Sequence, residues 1–565
     1  MSTLRKPINL VFLTQVVVVF LVAFGIWPRT LIILLAALIA FFVLWKDLET
    51  STAFFIRSVP LFVAIPFTSY FDSFNIWRVA SGLIFLKWFF KWYVEKRPET
   101  ESGHHDTFAK SAWYVPLKHL RFIKNYPLAS LLLLFLLLSI LSLLVAQDLF
   151  SGIKRIIYLL NLSMVPLVIY DLIKKNPGLT KKFLGSILIS GAIAAGIGLA
   201  QLISAYLMPL GAFIEFWGNT MQLGFYGYQW AGTALEGNTW FAYFGDQLSL
   251  RVFSIFPDSH SFPVYLLMTI PALLAKRFDL GSSKRSALGL IFLLLFFYLL
   301  AILSGTRGIW LAVLAPLLAL PFLFRYSQTK EGKIILKRIG LLILPFFVLF
   351  IAAFPIMGSN QFWVEKENNE ILAKRIRSIL DLNETSNSGR VEIWKKTVQS
   401  IIKHPLLGVG IGNYPTVLSQ HPDLAKAGSS AHNLYLNIAA EIGVVGLLAS
   451  LGILGIILRR AWILFVANQP YTHSKIPKEI LVGLKHRPRN FSLQRKVEGR
   501  EWVGMADWPF LKIYSAAFIL YSLWVLFYSL TDAILFDERA FLIFAINSAI
   551  ILGLYPTHNQ QLPLA

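Results

Sequence analysis

The sequence predicts an all-α polytopic membrane protein, with about 12–14 transmembrane helices and a large helical extracytoplasmic loop. Three observations carry that prediction. Hydrophobic residues make up 56% of the 565-residue chain and charged residues only 15%, with a mean hydropathy of +0.63. A soluble domain has too little interior to hide that much apolar surface, whereas a bilayer solvates it. Runs such as Leu128–Ala146 (LASLLLLFLLLSILSLLVA) approach the roughly 20 apolar residues that a spanning helix needs. Finally, the formal charge of +22 is spread in short basic clusters between the apolar runs. Nucleic-acid binding could account for such a balance, but this distribution is the positive-inside pattern, which also attracts anionic lipid headgroups. Membrane lipids are therefore expected partners, and nucleic acid is not.

Hydropathy places fourteen spans at approximately 7–26, 30–46, 53–70, 77–94, 128–146, 153–173, 183–207, 262–275, 287–303, 308–324, 339–357, 433–458, 512–530 and 540–556. Residues 1–25 carry Arg5 and Lys6 ahead of an apolar run without a small-residue cleavage site, and read as a first span. With the N-terminus inside, the inward gaps hold Lys174, Lys175, Lys181 and Lys182, then Lys276, Arg277, Lys284 and Arg285, then Arg325, Lys330, Lys333, Lys337 and Arg338. The outward gaps hold few cations, so both termini are expected in the cytoplasm. The resulting organisation is an N-terminal set of helices (1–207), an aromatic, Gly-rich outer loop (208–261) and helices around an Arg307 turn (262–357). A periplasmic helical loop (358–432), one further helix (433–458), a basic cytoplasmic loop (459–511) and the C-terminal helices (512–565) complete it.

Within the long outer loop, Val391, Trp394, Val398 and Ile401 fall on one face of an amphipathic helix. Ser388 is expected to cap that helix, and Pro405 with Gly408 to close it. An earlier stripe, Ile371, Leu372, Ile376, Ile379 and Leu380, marks a preceding helix with Lys374, Arg375 and Arg377 on its polar side. Both helices suit a lid at the outer membrane–water boundary. The aromatic segment 208–250 suits an interfacial loop that rests on headgroups or stacks on sugar rings; an aromatic belt without a ligand fits equally well.

Three candidate functional residues lie on the outward side: Arg251 before the eighth span, Arg307 in the tight LSGTRGIWLA turn, and His432 at the mouth of the twelfth. A guanidinium between two apolar spans is costly unless paired or snorkelled. It can cap a helix C-terminus, or it can grip a phosphate through its fork of donors. Arg251 carries the same two readings. A histidine at a helix start is commonly a surface or cap residue, but imidazole is also the side chain suited to take a proton from a hydroxyl near neutral pH. The positive end of the helix dipole favours the uncharged ring that a base requires. No cysteine occurs, and the remaining histidines, His260, His404 and His421, are too scattered in sequence to suggest a zinc site. Gly408, Gly410 and Gly412 in LLGVGIGNYP imitate a nucleotide loop but follow a helix rather than a strand, so they read as a turn back toward the membrane.

The order SGTRG, then SGRVEIWKKTVQSIIKHPLLGVGIGNYP, then AHNLYLNIAAEIGVVGLLA resembles the O-antigen ligase/polymerase superfamily over roughly residues 250–455. That superfamily includes lipopolysaccharide O-antigen ligases, related polymerases and bacterial O-oligosaccharyltransferases. The resemblance implies a GT-C type, inverting, metal-independent glycosyltransferase with no cofactor, acting at the outer face of the bacterial inner membrane. Its donor would be a glycan on undecaprenyl diphosphate, and its acceptor a lipid A core, a growing glycan or a protein hydroxyl. Arg307 and Arg251 look like the residues that hold the diphosphate, Arg390 like a further phosphate or loop-ordering contact, and His432 like the base. The chain departs from many members after Arg251, with Pro257-Asp258-Ser259-His260 in place of a Pro-Asn pair. A flippase or other transporter of lipid-linked oligosaccharide is the competing class. Transporters commonly show repeated halves and midplane charges, whereas here no halves repeat and the candidate residues group at one face. A non-catalytic envelope scaffold is a third reading.

Overall fold

The computed structural model describes residues 6–68, 72, 74–95, 126–228, 230–232, 239–244, 247–278, 284–363, 385–420, 430–467 and 508–555. The fold is an all-α polytopic membrane bundle. In chain order its helices are α1 (Pro7–Ala23), α2 (Leu31–Trp45), α3 (Leu48–Ser58), α4 (Ile76–Glu95), α5 (Pro127–Leu141), α6 (Leu149–Lys175), α7 (Leu179–Leu207) and α8 (Ser261–Arg277). They continue with α9 (Lys284–Leu303), α10 (Arg307–Tyr326) and α11 (Lys330–Met357), then α12 (Thr385–Lys403), α13 (Leu434–Val466), α14 (Trp508–Tyr528) and α15 (Glu538–Leu554). By length and composition, seven described helices can cross a bilayer, and α1, α2 and residues 287–303 are shorter apolar helices.

Helix α8 is the hub. Every residue from Ser261 to Ala275 is buried, and the helix packs against α7, α9, α14 and α15. Small residues allow the close approach: a Cβ at Gly198 would stand 2.9 Å from the Phe262 ring, and Gly191 faces Thr269. Position in the bundle sorts the other spans. The apolar window of Pro127–Val145 is 11% buried and that of Pro509–Tyr528 is 83% buried, so the first is clad in lipid and the second in protein.

The third expected span, 53–70, does not form. Helix α3 ends at Ser58, Val59–Leu61 is a 3₁₀ turn, and Ala64–Ile65 (β1) pairs antiparallel with Phe74–Asn75 (β2). Pro60 and Pro66 deprive this stretch of two backbone donors, and pre-proline residues favour extended conformation. Extended backbone at this depth survives because protein satisfies it. Gln15 donates to Leu61 O, and the buried Arg539 donates to Phe62 O at 2.8 Å.

Helix α13 is also interrupted. Gly443 has a φ of +80°, and a Cβ there would run into Leu406 O. The 405–410 turn fills the break: Val409 N donates to Ala440 O at 2.8 Å, Gly410 N to Glu441 O at 3.0 Å, and Val444 N to Pro405 O at 2.8 Å. The three glycines of LLGVGIGNYP all have positive φ, so they do turn the chain back into the bundle.

Helix α12 begins at Thr385, upstream of Ser388, which therefore lies inside the helix rather than capping it. Its inward face also differs slightly from the expected stripe. Val398 is 43% exposed, whereas Thr397 is fully buried and shares a 2.7 Å hydrogen bond with the Tyr414 hydroxyl. The preceding stripe, residues 371–380, falls outside the described residues. The aromatic stretch is more ordered than a loop: Leu210–Phe213 is α-helical, Ile214–Gln222 is a π-helix, Leu223–Tyr226 is α-helical, and Phe241–Phe244 (β3) pairs with Gln247–Leu250 (β4).

Candidate functional site

The β3–β4 hairpin delivers Arg251 to one end of the bundle. Arg251 N extends the ladder to Trp240 O at 2.8 Å, and Val252 N then bonds Leu303 O at 3.0 Å, at the end of α9. Trp240 stacks on Phe253 with ring centroids 4.4 Å apart. The side chain of Arg251 crosses the turn before α10, where Gly305 has φ +63° and a Cβ would lie 3.0 Å from Arg251 Cγ. Its Nε donates to Ser304 O at 3.2 Å, and its Nη2 lies 3.4 Å from Thr306 Oγ1. The SGTRG motif is thus a cradle for one arginine that starts a helix with another, because Arg307 follows Thr306 as the first residue of α10.

Burial lowers the Arg251 pKa to about 10; Tyr528 and Asp258 oppose that shift, while the charges of Arg307 and Arg390 add to it. Arg251 remains a cation at neutral pH, and three guanidiniums act on one region. Arg390, in α12, reaches this region because Trp394, one turn later, donates from Nε1 to Ala431 O at 2.8 Å, next to His432.

His432 precedes the Asn433 cap of α13, whose side chain accepts from Tyr435 N and Leu436 N. Its φ of +44° is uncommon for a residue with a Cβ and clusters at functional sites. The helix start is fastened to the turn after α14: Leu434 N donates to Ser529 O at 2.8 Å, and Asn433 Nδ2 to Leu530 O at 2.9 Å. That turn carries Asp532. Its Oδ1 lies 3.9 Å from His432 Nδ1, within ion-pair range but beyond a hydrogen bond, and this Nδ1 finds no hydrogen-bond partner among the described residues.

The other oxygen of Asp532 faces His260. His260 Nδ1 lies 3.0 Å from Asp532 Oδ2 and 3.0 Å from the Tyr528 hydroxyl, and Tyr528 itself donates to Asp532 Oδ2 at 3.1 Å. His260 Nε2 stands 3.5 Å from Arg251 Nη2. A guanidinium can only donate, so this geometry assigns His260 Nε2 as acceptor and Nδ1–H as donor to Asp532. Burial alone would raise the Asp532 carboxyl, but the imidazole of His260 hydrogen-bonded to it and that of His432 nearby outweigh burial and hold the carboxyl well below the usual carboxylate range.

The structure therefore brings Arg251, Arg307, Arg390 and His432 to one end of the bundle. It adds His260, Asp532 and Tyr528, which no motif in the sequence marks. A carboxylate in the short TDAILFDE turn between two apolar spans carries the same signal that marked Arg307, an ionisable group at membrane depth, and could have been flagged by it. Among the described residues no set of three His, Asp or Glu side chains is arranged to hold a metal ion. Chemically, the site offers clustered cations for an anion and, beside them, an imidazole backed by a carboxylate.

These features define a multi-pass membrane protein with a cationic, imidazole-bearing site at one end of its helices. Residues 290–451 match the family model described as O-antigen ligase, so this stretch of the chain is similar to that family and supports a function of ligase or polymerase type. The match spans Arg307, Arg390 and His432, while Arg251, His260 and Asp532 lie outside it. No curated protein matches the chain.

Proposed function

We propose that this protein transfers a glycan from undecaprenyl diphosphate to an acceptor hydroxyl at the outer face of the inner membrane. The acceptor oxygen attacks the anomeric carbon with inversion as the bond from that carbon to the diphosphate oxygen breaks. His432 takes the hydroxyl proton on Nε2, its Nδ1–H facing Asp532. The departing diphosphate takes the bonding electron pair, and Arg251, Arg307 and Arg390 stabilise that charge where it develops. His260 couples the two halves, ordering Arg251 through Nε2 and Asp532 through Nδ1.

The observation that carries this reading is the continuous chain from Arg251 through His260 to Asp532 and His432, with steps of 3.5, 3.0 and 3.9 Å. Three segments separated by up to 281 positions (532 − 251) meet there, and their charges are complementary to a diphosphate beside a hydroxyl. A transporter requires no such base.

Comparing envelope glycans in cells with and without the gene tests the function. Loss of long chains identifies a polymerase, and accumulation of unattached lipid-linked polymer identifies a ligase. Unchanged envelope glycans and lipid-linked pools would contradict both.

A further inference from the structure

The turn between α1 and α2 and the segment following α7 border an open cleft of about 520 Å³, a volume typical of small-molecule sites. Its lining includes Trp27, Arg29, Glu215, Asn219, Thr220 and Tyr228. None of these belongs to the arginine–histidine cluster.

One wall is the π-helix Ile214–Gln222, nine residues long. This helix type is rare, mostly confined to single turns, and concentrated at functional sites. Its wide winding brings Glu215, Asn219 and Thr220 to the cavity side, where Asn219 Nδ2 donates to Glu215 Oε2 at 2.6 Å. The opposite wall is fixed by Asp72, which accepts from Arg29 Nη1 at 2.8 Å and from Tyr228 N at 2.9 Å. Arg29 Nε is buried without a hydrogen-bond partner among the described residues. Trp27 and Tyr228 are 40% and 66% exposed, leaving aromatic surface at the rim.

Charge decides between occupants. Arg29 is neutralised by Asp72 and Glu215 adds a negative charge, so a phosphate headgroup is disfavoured here. An acyl chain would strip water from Glu215, Asn219 and Arg29 without replacing it. Aromatic faces beside a carboxylate, an amide and a guanidinium suit a pyranose, whose C–H face stacks while its hydroxyls exchange hydrogen bonds.

We propose that this cavity is a saccharide subsite, separate from the His432 centre, that takes pyranose rings of a glycan. The proposal rests on the reading of the chain as a glycan transferase. The two sites share one wall: Gln222 Nε2 donates to Phe256 O at 3.0 Å and the Tyr226 hydroxyl to Ile255 O at 2.9 Å, within the irregular segment 251–260 that carries Arg251 and His260. A sugar in the cavity would be separated from that segment by this helical wall, about one helix diameter or roughly 10 Å, a distance suited to a ring remote from the bond being made.

The test is calorimetric titration of the full chain in nanodiscs with two probes. One is the oligosaccharide released from the host's lipid-linked donor, and the other the oligosaccharide released from its envelope acceptor. At least one should bind, and the one that binds assigns the cavity to donor or acceptor. Asn219→Ala and Trp27→Ala should each weaken that binding tenfold or more with an unchanged melting temperature, and His432→Ala should leave it intact. If neither oligosaccharide binds, if Asn219→Ala binds as wild type does, or if a co-purifying phospholipid is lost from Asn219→Ala, the proposal is overturned. Because the readout is binding, it stands apart from the transfer reaction: a His432→Ala variant that still transfers glycan sinks the mechanism but leaves this result unaffected.

Discussion

The two ends of the helix bundle handle charge in opposite ways. At the basic end, cations pair locally or reach for the carbonyls at helix ends. Lys87 donates to Val43 O and Leu44 O at 3.0 and 2.9 Å, and Lys175 bridges Asp171 and Glu95 with about half of its side chain exposed. At the other end, Arg251, His260 and Asp532 are drawn inward and tied to one another across loops far apart in sequence. Exposed pairs of the first kind are worth about 0–1 kcal/mol each; they set topology. Buried groups of the second kind are expensive to hold, and they persist where chemistry needs them.

Removing His432 and Asp532 together should do the most. The His432→Ala/Asp532→Asn double variant should lose transfer by about 10²–10⁴-fold and be no worse than His432→Ala alone, because residues that act as a unit are not additive. Initial rates on reconstituted protein would show this, and multiplicative losses would separate the carboxylate from the imidazole. Arg251→Ala should come next, with about 10²–10³-fold lost in rate. Arg251→Lys should recover only part of it, since an ammonium cannot reproduce the fork that spans Ser304 O and Thr306.

A third effect is on stability. Burial, reinforced by Asp258 and Glu538, raises the Asp537 pKa to about 7 against a backbone hydrogen bond and Arg539. The folded chain thus holds this proton more tightly than the unfolded one, so stability should be lost as pH rises from about 4 to about 7. Asp537 Oδ1 caps α15 by accepting from Arg539 N and Ala540 N, and asparagine can do the same without charge. Asp537→Asn should therefore flatten the dependence of melting temperature on pH and melt higher than wild type at pH 8; parallel curves would remove Asp537 as the cause. The smallest effect belongs to the basic end, where Lys175→Ala should change stability by no more than about 0.5 kcal/mol in the same melting assay.

The contrast between the ends also explains what could be read in the sequence. Spans and basic tips were legible because both depend on local composition: thirteen of the fourteen expected segments are helical over most of their length. The third failed because Pro60 and Pro66 lie in an apolar run whose backbone is satisfied by Gln15 and Arg539, a pairing that hydropathy does not register. Arg307, Arg390 and His432 stood out through motif order. His260 and Asp532 did not, since their meaning comes from folding: Asp532 lies 100 positions beyond His432 in the chain (532 − 432) and meets it only when α13 docks on the α14 turn. Ser388 was a plausible local cap, but α12 gained an extra turn upstream of it.

Glycan transfer and lipid-diphosphate binding measured side by side on His432→Ala in proteoliposomes separate the base from the anion site. The variant should bind undecaprenyl diphosphate as wild type does while transferring at least a hundredfold more slowly. Transfer at the wild-type rate by correctly inserted His432→Ala would contradict the role of His432 as the base.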